Sequence, residues 1–110
     1  MPRPVYRPRW EDAALDDAAL AVARRTRTVL VALEAAGDTR WRAWFEVLVP
    51  VFEDGDRSAL EAAGRKARAA FGAKDSVRDV VDSPDLLVLR DAIDVLLRVL
   101  AERAARPRPD

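Results

Sequence analysis

Four aspartates, Asp75, Asp79, Asp82 and Asp85, fall within one short stretch, with Lys74 and Arg78 among them. Carboxylates grouped in this way can steer and hold a basic protein surface. They can equally cap helices, and Asp79 and Asp85 taken singly read as caps. As a group beside a loop, Lys74, Asp75, Arg78, Asp79, Asp82 and Asp85 form the candidate partner-binding site. Paired carboxylates also serve as acid and base, but no metal-ligand spacing or pocket signature singles out one pair here. The chain has no His and no Cys. That removes the commonest general base near neutral pH, the commonest transition-metal ligand, the thiol nucleophile and any disulfide. Asp54 and Asp56 flank Gly55, yet the spaced acids and closing Glu of an EF-hand are missing, so the stretch reads as a turn. The chemistry predicts no enzyme, no cofactor and no metal.

Arg24, Arg25 and Arg27 form a second charged group, and Arg3, Arg7 and Arg9 a third. Arginines of this kind can contact phosphates. No Gly-rich or aromatic companion sits beside the Arg24–Arg27 group, and 19 basic residues are matched by 19 acidic ones. A nucleic-acid-binding domain usually shows a basic excess or a basic face. A solvated helix surface is the plainer reading, and nucleic acid remains a second alternative. Trp41 and Trp44 invite a stacking platform for bases or sugars. Only seven residues are aromatic, however, and a small core needs its scarce large groups. Trp41, Trp44, Phe45, Leu48, Phe52 and Phe71 are therefore assigned to the core.

The elements that must position these groups read as helices throughout. Residues 11–36 predict a long first helix. Glu11 and Asp12 sit in its opening turn. Leu15, Ala19, Val22, Thr26, Val29, Leu33 and Ala36 make its seam, widened by Leu20, Ala23, Leu30 and Val31. Gly37 stops it and Asp38 caps the next. Pro50 then predicts a kink or an end near Val49. Gly55-Asp56 repeats the stop-and-cap signal before a helix over 57–71, where Gly64 implies a close approach by another helix, with a Trp as the candidate neighbour. Ser76 with Asp79 resembles a capping box opening a brief helix to Val81. Ser83-Pro84 opens the last helix, with Leu86, Leu89, Ile93, Leu96 and Leu100 on one face. Leu87, Val88, Val95, Leu97 and Val99 add a second apolar side. A helix apolar on more than one side is either central or shared with another chain, so a homodimer through residues 84–104 is an alternative reading.

At 110 residues the chain is sized for one domain able to bury a core without disulfide or metal. The expected class is all-α: a compact bundle of four main helices plus one short helix. Residues 1–9 read as an extended Pro/Arg-rich arm, 10–104 as a single helical domain and 105–110 as a disordered tail. Tyr6 and Trp10 are expected to fold back onto the body. No run approaches a membrane span and the Pro-broken start lacks a signal peptide's apolar segment, so cytoplasmic residence is the default. The preference for Arg over Lys, with abundant Ala, Asp and Val, suits a high-GC bacterial genome.

Trp41, Trp44, Gly55-Asp56, Phe71-Gly72, Ser76 and Asp79 follow a recognisable order. It resembles a family of small uncharacterised bacterial all-helical proteins with Trp-x-x-Trp, Gly-Asp and Phe-Gly-x-x-x-Ser-x-x-Asp. The likeness covers roughly residues 30–85. Ala73, Lys74 and Asp75 stand where the family commonly has Gly and Met, and Arg78 stands where Asn is usual. Proteins of this size and kind look like immunity proteins, which sit beside toxin genes and neutralise a toxin domain. The resemblance thus implies a non-enzymatic binding module whose partner is another protein, such as a toxin domain.

Overall fold

The computed structural model of the chain describes residues 8–72 and 75–105. Five α-helices run in order: α1 Ala13–Ala35, α2 Thr39–Glu46, α3 Val49–Asp54, α4 Arg57–Ala69 and α5 Pro84–Ala105. One 3-10 turn, Arg9–Glu11, precedes α1, and another, Val77–Asp79, links α4 to α5. No strand occurs among the described residues. The expected all-α bundle is present, with its second main helix divided into α2 and α3 and its short helix tightened to the second 3-10 turn.

Periodicity explains the centre. Leu15, Ala19, Val22, Thr26, Val29 and Leu33 are all buried along α1. Leu86, Leu89, Ile93, Leu96 and Leu100 are buried along α5. These two long seams face each other. Arg103 near the end of α5 bonds to Asp12 at the start of α1, so the helices run antiparallel. Thr26 is the one polar intruder in the α1 seam, and its hydroxyl donates to the Val22 carbonyl at 2.7 Å. Such back-bonding satisfies the group without a distant partner. Two members of the predicted α1 set fail. Val31 is 69% exposed, and Ala36 lies beyond the helix end as an exposed cap. Val31 falls nearly half a turn from Val22 on the wheel, outside the arc the other helices cover.

The boundaries have local causes. Gly37 adopts φ +70°, which few other residues accept. Its N–H donates to Glu34 and that of Asp38 to Leu33, both at 3.0 Å, closing α1 with a Schellman motif. Asp38 then accepts from the Trp41 N–H at 2.7 Å and starts α2. Removing this cap with Asp38→Ala is expected to cost about 1 kcal/mol. Thermal unfolding followed by circular dichroism should show the melting point falling by about 4–8 °C, while Asp38→Asn leaves it nearly unchanged.

Pro50 acts earlier than expected. α2 stops at Glu46 rather than near Val49, and Pro50 sits in the first turn of α3. Ending α2 there removes the carbonyl clash a continuous helix would suffer, and the missing N–H costs nothing in a first turn. Gly55 differs from Gly37: its φ of −66° is ordinary. Glycine is required by space, because a Cβ would lie 2.5 Å from the Val51 oxygen and 2.7 Å from Val51 Cγ1. Asp56 caps α4 through the Ala59 N–H at 2.8 Å. α4 ends at Ala69, two residues short of the predicted limit. Gly64 does meet another helix, but the neighbour is Leu97 of α5, whose Cδ2 would lie 2.9 Å from an added Cβ. No Trp is involved there.

A polar clasp closes one end of the bundle. Arg9 is placed by the sequence in the arm, yet it belongs to the folded body, with 8% of its side chain exposed. Its Nε pairs with Asp16 at 2.8 Å. Its terminal nitrogens donate to the carbonyls of Val51, Phe52 and Gly55 at the end of α3. A cation is favoured where helix carbonyls go unpaired. Trp10 does not fold back; it is 70% exposed. Successive residues of a 3-10 turn point about 120° apart, so anchoring Arg9 inward turns Trp10 out. The Tyr6 expectation and most of the predicted arm and tail lie outside the described residues; Ala105, assigned to the tail, is the last residue of α5. Arg103 completes the clasp on Asp12, at 2.7 and 3.1 Å. That hydrogen bond holds its guanidinium above the ordinary arginine value.

Candidate functional site

The segment between α4 and α5 is built on one buried anchor. Val77 is fully buried, and its N–H donates to the Ala70 carbonyl at 2.9 Å. Ser76 is also buried. Its hydroxyl accepts from the Arg78 N–H at 3.2 Å, and Asp79 accepts from the Ser76 N–H at 3.0 Å. The capping box read from the sequence is therefore formed, with Asp in the usual Glu place. Asp75 takes φ 50°, a left-handed conformation that Asp tolerates better than most residues. At the start of α5, the Ser83 hydroxyl accepts from the Asp85 N–H at 3.2 Å and donates to the Asp85 carboxylate at 3.3 Å.

This arrangement sorts the predicted site residues. Arg78, Asp79 and Asp82 line an open hollow of about 590 Å³, together with Phe71, Ser76, Val81, Leu86 and Leu87. Asp79 closes the capping box, as the single-residue reading had it, while the Asp85 carboxylate accepts from the Ser83 hydroxyl that caps α5. Asp75 and Asp82 are exposed and show no ion pair among the described residues. Asp75 and Asp85 lie off the hollow's wall, and Lys74 falls outside the described residues. The sequence missed Val80 and Leu87 as site residues, at 43% and 41% exposure. Leu87 carried a signal, since it stands outside the α5 seam; Val80 carried none.

The other candidates disperse. Arg24 and Arg25 are exposed, but Arg27 pairs with Glu53 at 2.8 Å. The three arginines thus do not form one free basic patch. Trp41 is 4% exposed, and Phe45, Leu48 and Phe52 are buried with it. Trp44 and Phe71 are partly buried against that core. The Trp41 and Trp44 rings meet edge-on at 5.4 Å, and Trp44 Nε1 donates to the Lys66 carbonyl at 3.0 Å. Lys66 Nζ lies 5.1 Å from the Trp44 ring centre. The indoles are thus engaged by the protein itself, and neither lines the hollow. A second hollow, about 550 Å³, lies between α4 and the end of α5. Its charged residues, Glu61 and Arg65, neutralise each other at 2.7 Å. Among the described residues, no group of three or more acids is placed to hold a metal ion, and no helix is long and apolar enough to cross a membrane.

The fold and this rim define an all-helical bundle whose exposed linker combines acids with aliphatic side chains. No family model matches the chain, and neither does any curated protein or solved structure.

Proposed function

We propose that the chain is a non-enzymatic, cytoplasmic protein-binding module of the immunity or antitoxin type, and that it holds a basic toxin domain against the linker rim. The observation that carries this reading is the composition of the rim. Between residues 75 and 87 stand four carboxylates and one guanidinium. Beside them, Val80 and Leu87 are open to solvent. Protein interfaces pair an apolar centre with a polar edge, and the sign of the edge selects the partner. A basic surface fits this one. The capping bonds of Ser76, Asp79 and Ser83 hold the rim in shape before a partner arrives, which lowers the ordering cost of binding.

The test uses the product of the reading frame beside this gene. That product is expected to be a toxin bound by the purified chain in calorimetry and silenced by it in cells. Asp75→Lys with Asp82→Lys should weaken binding about 10- to 100-fold, mostly through slower association, with the gap narrowing as salt rises. Both residues are exposed, and circular dichroism checks that the fold persists with Lys at the left-handed position 75. A neighbouring product that is not bound, or one bound equally by the double variant, overturns the reading.

A further inference from the structure

We infer that the outward side of α5 is the contact surface for a second copy of this chain, paired antiparallel about a two-fold axis. The inference gives the homodimer reading of the last helix a register. It is independent of the linker rim, which lies beyond the residues used here.

The core explains only part of the second apolar side of α5. Leu86, Leu89, Ile93, Leu96 and Leu100 already fill the inner face. Leu97 packs at Gly64. Leu87 borders the linker hollow. Val88, Val95 and Val99 remain, and with Ala92 they are spaced four, three and four apart, the interval at which one helix meets another along a seam. Val88 and Val95 are 40% and 43% exposed, while Ala92 and Val99 pack against the edge of the core and are partly buried, leaving part of each side chain in the row. Single exposed aliphatic residues are ordinary on a protein surface. A row in seam register is a different observation.

The flanking charges say what covers the row. Asp91 and Arg98 lie seven residues apart, on the same edge of the seam, and both are exposed. Arg98 forms no ion pair among the described residues. Among the described residues Asp91 pairs with the adjacent Arg90 alone, at 4.0 Å. Laying two α5 seams antiparallel, with Ala92 against Val95 of the second copy, sets Val88 against Val99 of that copy. The same register brings Asp91, one residue before Ala92, beside Arg98 of the second copy, three residues beyond its Val95. Symmetry makes this pair twice. A parallel pairing forms neither bridge. The edge has no net charge of its own to attract a basic or an acidic stranger, but it complements itself. The helix is long enough for the contact, since 22 residues span about 33 Å.

The experiment is light scattering and sedimentation velocity on the full chain across a wide concentration range. The mass should climb from 12.2 kDa towards twice that value. Asp91→Arg alone and Arg98→Asp alone each set like charges opposite one another at two places. Each should weaken the dimer about tenfold or more. Asp91→Arg combined with Arg98→Asp restores both bridges in reverse and should bring the affinity back near the starting value, a rescue that a residue acting only within one copy would not give. Circular dichroism checks that all three variants keep their helices. A monomer at every concentration, a species larger than a dimer, unchanged association in the single variants, or a double variant that stays monomeric would each overturn the pairing.

Discussion

Phe45→Ala is expected to remove about 3–5 kcal/mol of stability. A domain of this size holds about 5–15 kcal/mol in total, so the variant should sit near the edge of folding. The size of the effect follows from the site. Phe45 has no exposed surface. It lies on α2, with the Phe71 ring edge-on at 6.5 Å and 62°. The lost ring leaves a void that the neighbours can refill only by moving. α2 has just eight residues, pinned by the Asp38 cap at one end and the Pro50 break at the other. There are also few spare rings: Trp10 points outward and Trp44 is held by the Lys66 carbonyl. Urea unfolding should show a lower midpoint at an unchanged slope, the mark of a stability change in a fold that stays two-state. Phe71→Ala, at a partly buried position, should cost distinctly less. If Phe45→Ala cost under about 1 kcal/mol, the close-packed α1–α2 core would be wrong.

The contrast between Phe45 and Arg9 marks what could be read from the chain. Helical seams were legible because they depend on spacing a few residues apart. Every expected α5 seam residue is buried, as are six of the seven on α1. Caps were legible for the same reason: Asp38, Asp56, Ser76 and Ser83 each bond within three residues. The failures involve distance along the chain. Nothing local shows that Arg9 will reach carbonyls 42 to 46 residues away, or that Arg103 will meet Asp12 across 91. The outward turn of Trp10 is a consequence of the first of these bonds, so it was hidden with it. The linker acids could be located as a group, since they crowd one stretch. The hollow that Asp79 and Asp82 border could not, because Phe71 and Leu86 reach its wall from opposite sides of the linker. Helix-to-helix choice is likewise non-local: Gly64 announced a close neighbour, but only packing could make it Leu97.

Arg9→Met tests the first of these non-local contacts. The substitution keeps much of the aliphatic length and removes the guanidinium. It leaves the Asp16 carboxylate without its partner and takes a donor from the carbonyls of Val51, Phe52 and Gly55. Removing one member of a mostly buried, hydrogen-bonded pair costs far more than the pair's net worth, because the remaining groups stay desolvated. The expected loss is about 2–4 kcal/mol. Arg27→Met provides the scale. That arginine also pairs with an acid at 2.8 Å, but its side chain is 58% exposed, and the loss should be at most about 1 kcal/mol. Changing Asp16 as well, in Arg9→Met with Asp16→Leu, should recover part of the deficit, since the orphaned charge then goes too; the two effects should fall short of adding. Hydrogen exchange supplies a readout that global unfolding would not. With the clasp gone, amides that close the end of α3, the Gly55 N–H on Val51 among them, should open by local fraying and exchange faster than those of the α1–α5 seams. Equal costs for Arg9→Met and Arg27→Met, with no added exchange at α3, would show that Arg9 decorates the bundle instead of fastening it.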